Sequence, residues 1–277
     1  MLTYFISDIH ADAWLPLTKN ESVLRPELER LYDRYFHPAD AVSLSGDIAD
    51  DSTLFLSVVK FLAEKYSRVF LTLGNHELAV SDKFVIDDAF DDTESKIAFL
   101  KERLSDIGNV HLLDGDVVEG FGGTMGMCDF SFQVEDGRPY DSLTMWSRAY
   151  HDGKCWNYMN QDPLAILKSE REKISGIVEL APKVVLTHFF PVQMGVRGSF
   201  AEDEKTAFYC FDASKYLESL PESTIWQCGH THNIVDTTWV DKNNKGHRII
   251  CNPLGLPFEN NGFNFFYEEK KFLINIC

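Results

Sequence analysis

The stretch LTLGNHE at residues 71–77 joins an apolar run to a glycine and three polar residues, and this layout recurs along the chain. It returns as FISDIH at 5–10, LSGDIAD at 44–50, VVLTHFF at 184–190 and CGHTH at 228–232. Short apolar runs such as 2–6, 41–44, 69–73 and 184–186 are typical of buried strands. Since α/β sheets bind ligands beyond the carboxyl ends of their strands, we expect these polar residues to meet at one edge of an α/β fold.

Helical patterns separate the first strands, at 24–36 and from 52 to about 65. This β-α-β-α-β alternation favours crossover units of one sheet. Further helices are predicted at 93–104 and 163–178. Short strands and glycines over 110–132 predict hairpins of the second half of the fold. The last strands are expected at 225–228, 235–240, 247–251, 263–267 and 272–276, with His247 exposed beside a hairpin turn. The length of 277 residues fits one domain spanning residues 1–277.

Seven residues of metal-ligand type follow the predicted strands: Asp8, His10, Asp47, Asn75, His188, His230 and His232. Mixed oxygen and imidazole donors suit ions such as Mn, Fe, Zn or Co rather than a thiolate-bound structural zinc. The carboxylate of Asp47 has lone pairs for two ions, and the amide of Asn75 adds an oxygen without adding charge. These properties predict two divalent or mixed-valence ions that clamp a phosphoryl group and lower the pKa of a shared water.

The order D-x-H, G-D, G-N-H-E, H and G-H-x-H, carried by residues 8–232, resembles the calcineurin-like metallophosphoesterase superfamily. The resemblance implies a four-layer α/β/β/α sandwich of two mixed sheets flanked by helices, with the metals at the rim between the sheets. It implies two ligand sets that share Asp47: Asp8, His10, Asp47 and His232 for the first ion, and Asp47, Asn75, His188 and His230 for the second. His76 matches the histidine that contacts the phosphate and assists the leaving group, with a metal-bridging hydroxide as the nucleophile. We also expect Glu77 to orient His76.

The amino-acid composition limits the kinds of binding partner that the protein is expected to have. The chain has 26 Lys and Arg against 43 Asp and Glu, a formal net charge of −17. That balance is unfavourable for contacts to a phosphate backbone, so long nucleic acid is not the expected partner. The absence of a bilayer-length apolar run and of a leader pattern predicts a cytoplasmic protein without membrane contact. Six scattered cysteines predict reduced thiols, and no pattern sets the oligomeric state.

Residues 129–162 match none of the motifs and mix aromatic side chains with Arg138, Arg148 and His151. The segment is interpreted either as a cap-like insertion that shapes the substrate site or as a satellite core under a long loop. Arg148, Arg197 and His151 are the candidate substrate-binding residues, because guanidinium forks match phosphate oxygens and His151 is the spare histidine of the segment.

The residues that flank the motifs indicate which class of substrate to expect. The glycines that flank D-x-H in protein Ser/Thr phosphatases are missing around Asp8 and His10, so a phosphoprotein substrate is not favoured. The expected substrate is a small phosphodiester or a nucleotide-like phosphoric ester, with a phosphomonoesterase or a nuclease as alternatives. A non-catalytic scaffold is disfavoured, because a scaffold has no reason to keep all seven ligand residues together with His76.

Overall fold

Two β-sheets face each other at the centre of the molecule. The computed structural model describes residues 1–80, 90–131, 142–157, 163–193, 204–259 and 269–276. The strands are β1 (Leu2–Ile6), β2 (Ala41–Ser45), β3 (Arg68–Thr72), β4 (Val110–Leu112), β5 (Asp116–Val118), β6 (Phe121–Gly123), β7 (Val184–Leu186), β8 (Ile225–Cys228), β9 (Val235–Val240), β10 (Gly246–Cys251) and β11 (Leu273–Asn275). The order is β11-β1-β2-β3-β4 in the first sheet and β5-β6-β7-β8-β10-β9 in the second.

Both sheets are mixed. Strands β1 to β4 are parallel, and β11 runs antiparallel to β1. In the second sheet β6, β7, β8 and β10 are parallel, while β5 and β9 are antiparallel edge strands. The rings of Phe70 and Phe121, one from each sheet, stack with centroids 4.0 Å apart. Gln227 on β8 donates to the carbonyls of Ile6 and Ser43 in the opposite sheet, at 3.0 and 2.9 Å.

Helices flank the sheets. They are α1 (Ala11–Trp14), α2 (Glu21–Tyr35), α3 (Ser52–Lys65), α4 (Thr93–Ser105), α5 (Ser142–Ala149), α6 (His151–Cys155), α7 (Pro163–Glu179) and α8 (Ser214–Ser219). The starts of α3 and α4 are set by Asp51 and Asp92, whose side chains accept hydrogen bonds from main-chain amides of the first turn. Helices α3 and α4 contact the first sheet, and α7 contacts β5 and β6 of the second. The result is the expected α/β/β/α sandwich.

The structure corrects two expectations about the middle and the end of the chain. Strand β4, within the predicted hairpin region 110–132, lies parallel to β3 in the first sheet, and the hairpin in the described part of this region is formed by β5 and β6. His247 is expected to be exposed, but it is buried, with a relative exposure of 1%. It shares the inner face of β10 with Ile249 and Cys251, because side chains alternate along a strand. The strand predicted at 263–267 lies outside the described residues.

The sequence predicts a protein without membrane contact, and the helices bear on this prediction. Within the described ranges, no helix combines the length and the apolar character that a bilayer crossing requires.

Candidate metal centre

The loops after the strands carry the predicted ligands in an unusual backbone conformation. Five of these residues have left-handed φ angles: Asp8 (49°), His10 (45°), Asp47 (53°), His230 (66°) and His232 (50°). Such a conformation costs a non-glycine residue on the order of 1 kcal/mol and persists only where the surroundings fix it. The sharp turn after each strand therefore belongs to the construction of the site.

Two glycines make the close approach of these loops possible. A Cβ atom on Gly74 would lie 2.2 Å from Oδ1 of Asp47. A Cβ atom on Gly46 would lie 2.6 Å from Nδ1 of His188, and Gly46 also has a φ of 74°. Both positions require glycine, since any side chain would displace a predicted ligand.

One group of converging donor atoms comes from Asp8, His10, Asp47 and His232, whose ligand atoms all lie within 4.8 Å of one another. Nε2 of His10 is 3.0 Å from Nε2 of His232 and 3.7 Å from Oδ2 of Asp47. Nε2 of His232 is 3.6 Å from Oδ1 of Asp8. This group is the first ligand set that the motif order implies.

A second group contains Asp47, His188 and His230. Nε2 of His188 is 3.2 Å from Oδ2 of Asp47 and 3.2 Å from Nδ1 of His230. The same Nε2 lies 2.8 Å from Oδ1 of Asn75, which completes the second implied set. Oδ2 of Asp47 is the oxygen that faces the histidines of both groups, as a bridging carboxylate requires.

The outer nitrogens of three histidines fix how each ring faces the centre. Nδ1 of His188 donates to the carbonyl of Ser45 at 2.8 Å, and Nε2 of His230 donates to the carbonyl of Phe208 at 3.1 Å. Nδ1 of His232 donates to Glu259 at 2.8 Å. Because carbonyl and carboxylate oxygens only accept, the other ring nitrogens point inward, and in the neutral imidazole their lone pairs face the centre. Acceptor atoms meeting at such short distances fit bound cations.

The electrostatics of the centre agree with this chemistry. Burial opposes ionisation of Asp47, but His188 and His76 outweigh it and hold the pKa of Asp47 well below its ordinary value. Burial likewise lowers the pKa of His188, yet the Asp47 carboxylate raises it to about 9. The buried carboxylate thus draws positive charge to the point where the two donor groups meet.

His76 lies beside these groups without belonging to either implied ligand set. Its Nδ1 is 2.8 Å from Oδ1 of the buried Asp50, and its main-chain N–H donates to Oδ1 of Asp47 at 3.0 Å. Burial lowers the pKa of His76, but Asp47 and Asp50 raise it well above the ordinary value. The side chain is 26% exposed, so the imidazole is accessible from the solvent. The raised pKa favours its protonated form.

The expected role of Glu77 is corrected. Its carboxylate is buried and accepts hydrogen bonds from four main-chain amides, those of Asp47, Ile48, Ala49 and Gly74. The partner of the His76 ring is Asp50 rather than Glu77. Glu77 therefore ties together the two loops that carry Asp47 and Asn75.

A cleft of about 400 Å³ opens over both donor groups. Besides the predicted ligands, its walls include His76, Tyr150, His151, Tyr209, Asn233 and Glu259. The ring of His151 stacks on that of His76 with centroids 5.4 Å apart. Arg148 is exposed and is not among the described residues that line the cleft, and Arg197 lies outside the described residues.

Within the 129–162 segment, residues 142–157 pack against the metal centre. Trp146 and Trp156 are 3% and 8% exposed. Nε1 of Trp156 donates to the main-chain carbonyl of Asn75 at 2.9 Å, and Oδ1 of the buried Asp152 accepts from Nδ2 of Asn75 at 2.9 Å. Sequence reasoning identified neither Asp152 nor Glu259, because both belong to stretches without a motif.

Comparisons with known proteins agree with this geometry. The family model described as calcineurin-like phosphoesterase matches residues 1–233. The crystal structure of a phosphopantetheinyl hydrolase from Mycobacterium tuberculosis is similar in fold, with a TM-score of 0.68 and 17% identity over 93% of this chain and 90% of that chain. No curated protein matches this chain in sequence. With the family model covering most of its length, the chain belongs to the calcineurin-like phosphoesterases, a family of phosphoric ester hydrolases.

Proposed function

We propose that the protein hydrolyses a small phosphodiester or a nucleotide-like phosphoric ester at a centre of two metal ions. The observation that carries the proposal is the meeting of two donor groups at Asp47 beneath an open cleft. Two ions such as Mn, Fe, Zn or Co would supply positive charge for the phosphoryl oxygens and a water of lowered pKa. The seven predicted ligands hold these ions in the proposal.

In the proposal His76 contacts the phosphate and delivers a proton to the leaving oxygen. Asp50 takes the hydrogen bond from Nδ1 of His76 and so fixes the ring, with Nε2 3.9 Å from Oδ2 of Asp47. The Asp50 carboxylate stabilises the imidazolium, which is the form that can donate. His151, stacked on His76, is placed to contact the same substrate.

The size and the walls of the cleft support a small substrate. A volume of about 400 Å³ accommodates a ligand of nucleotide size, and Tyr150 and Tyr209 offer rings for a base or a sugar. The net charge of −17 disfavours long polyanions. The described part of the cleft gives no role to Arg148, so the proposal rests on His76, His151 and the tyrosines.

A panel of substrates in metal-supplemented buffer tests the proposal. It contains p-nitrophenyl phosphate, bis-p-nitrophenyl phosphate, cyclic nucleotides, nucleoside monophosphates and short DNA, with His188→Ala as the control for contaminating enzymes. We expect the diester and at least one cyclic nucleotide to be hydrolysed faster than p-nitrophenyl phosphate, and DNA to be cut slowly. Faster turnover of monoesters would identify a phosphomonoesterase, and rapid cutting of DNA would identify a nuclease.

A further inference from the structure

The side-chain amide of Asn75 has a defined orientation. Its two ends face different partners, Oδ1 of Asp152 at 2.9 Å on one side and Nε2 of His188 at 2.8 Å on the other. A carboxylate can only accept hydrogen bonds, so the amide nitrogen must be the atom that faces Asp152. The amide oxygen is thereby directed toward Nε2 of His188, where the second ion would be held.

Asp152 is costly to bury in its position. The residue is 1% exposed, and its Oδ2 has no hydrogen-bond partner in the described part of the chain. Beyond Asn75, Nδ1 of His151 lies 3.6 Å from Oδ1. A buried carboxylate with so few partners destabilises a fold unless positive charge lies nearby. Across the amide of Asn75, the predicted second ion would provide that charge.

The short helix α6 is held against the loop that carries Asn75. The main-chain N–H of Val80 donates to the carbonyl of Cys155 at 3.0 Å, and Trp156 holds the main-chain carbonyl of Asn75 at 2.9 Å. At the end of this segment, Asn157 and Thr93 exchange two hydrogen bonds of 2.9 Å. These contacts fix the C-terminal end of α6, just beyond Asp152, and the main chain and the side chain of Asn75 are both held by this segment.

We propose that Asp152 is a positioning residue of the metal centre. It holds the amide of Asn75 with the oxygen toward the second ion and polarises that oxygen, which raises the affinity of the second site. The arrangement parallels the carboxylates that orient metal-binding histidines through the far ring nitrogen. The inference rests on the proposed two-metal centre and is independent of the substrate. It adds Asp152 of α6 to the surroundings of the metal site, within a segment that no motif predicts.

Titration of the metal-free protein with Mn²⁺ tests the role of Asp152 without substrate. Binding is followed by calorimetry and by electron paramagnetic resonance, which distinguishes a coupled pair of ions from an isolated one. Asp152→Leu removes the acceptor but keeps the number and branching of the side-chain heavy atoms, and urea unfolding of the metal-free variant checks that it is folded. Asp152→Asn keeps an acceptor oxygen for Asn75. Lys154→Ala, at an exposed position of the same helix, is the control.

We expect Asp152→Leu to bind the second Mn²⁺ about 10–100-fold more weakly, so that the coupled signal gives way to that of an isolated ion. Asp152→Asn should restore most of the affinity, and Lys154→Ala should match the wild type. Wild-type affinity at both sites in Asp152→Leu would overturn the inference. An equal loss in Asp152→Asn and Asp152→Leu would overturn it too, because asparagine still accepts. A wild-type protein that binds a single Mn²⁺ would overturn the two-metal centre itself, and with it this role.

Discussion

The carboxylate of Glu77 accepts the main-chain N–H of Asp47 at 3.0 Å and so holds the residue that both donor groups share. Burial and the nearby Asp47 carboxylate raise the pKa of Glu77 to about 7, against the opposing effect of its main-chain hydrogen bonds. Asp47 is in a left-handed conformation, which this contact helps to maintain. The geometry of the centre thus depends on a carboxylate that is not itself a predicted ligand.

Replacement of Glu77 by Gln tests this dependence. An amide offers one acceptor oxygen where the carboxylate offers two, so main-chain N–H groups of the Asp47 loop would lose their partner. We expect the free energy of unfolding to fall by roughly 2 kcal/mol, measured with urea in the presence of a chelator. Glu102→Gln, at an exposed position of α4, is the matched control and should leave stability unchanged. Equal stability of the Glu77 variant and the wild type would contradict the role of Glu77.

Asp47→Asn tests the bridging role. A neutral amide has a single coordinating oxygen and cannot hold two ions as a carboxylate does. We expect the purified variant to retain at most one ion per chain and to lose hydrolysis of bis-p-nitrophenyl phosphate. Metal analysis by mass spectrometry measures the first effect and steady-state kinetics the second. If the variant keeps two ions and full turnover, Asp47 is not the bridge.

Gly74→Ala tests the close approach of the two loops. The added methyl group would lie 2.2 Å from Oδ1 of Asp47, which forces the carboxylate or the loop to move. We expect weaker metal binding and a loss of roughly 1–3 kcal/mol in the free energy of unfolding. Gly108→Ala adds the same methyl group where no atom lies within 4 Å. The two variants should therefore differ in metal content, and a similar metal content in both would refute the steric explanation.

His76→Ala tests the proposed proton donor. Since His76 belongs to neither implied ligand set, the variant should keep the metal content of the wild type. Its turnover should fall by about 10²–10⁴ on substrates with poor leaving groups, with a smaller loss on p-nitrophenyl esters. The turnover rates of the variant and the wild type are measured on substrates with poor and with good leaving groups. Joint loss of metal and activity would instead make His76 a ligand or a structural residue.

Asp114 forms ion pairs with lysines of helices α4 and α7, and these pairs make the free energy of unfolding depend on pH. It pairs with Lys101 at 2.6 Å and with Lys173. Burial raises the pKa of Asp114, but the opposite effect of Lys173 and Lys101 is larger. The pKa of Asp114 in the folded protein is therefore below its ordinary value. Its contribution is complete above the ordinary pKa of about 3.9 and is lost as the pH falls through the folded value.

We therefore expect Asp114→Asn to cost about 1 kcal/mol near neutral pH and nothing in strong acid. Urea unfolding of both proteins across this range, with chelator present, measures the difference. Every other titrating group is common to the two proteins, so the difference isolates Asp114. A difference that persists in acid would mean that ion pairing is not its source.

The sequence predicts those parts of the fold that depend on neighbours along the chain. The apolar runs before Asp8, Asp47 and His188 are strands within a residue or two of their predicted bounds, because a glycine or polar residue ends each run. The same logic brings the ligand residues to one rim. The resemblance contributed the pairing of those residues into two sets.

Features that depend on distant neighbours were not predictable. The sheet to which β4 belongs is decided by its pairing with β3, and the short apolar run of β4 is equally typical of a hairpin. Asp152 lies in the polar sequence HDGKC, and its burial results from contact with Asn75, 77 residues earlier. Local patterns carry no information about such partners.

The hydrogen bond from the N–H of His230 to Asp8 spans 222 residues, and this distance along the chain has a consequence for biosynthesis. At typical translation rates, roughly ten to forty seconds separate the appearance of these two residues at the ribosome. During that interval the nascent chain holds Asp8, His10 and Asp47 without His230 and His232. In the proposed centre, the complete set of ligands for both metal ions is therefore available only after His232 has been made, late in the synthesis of the chain.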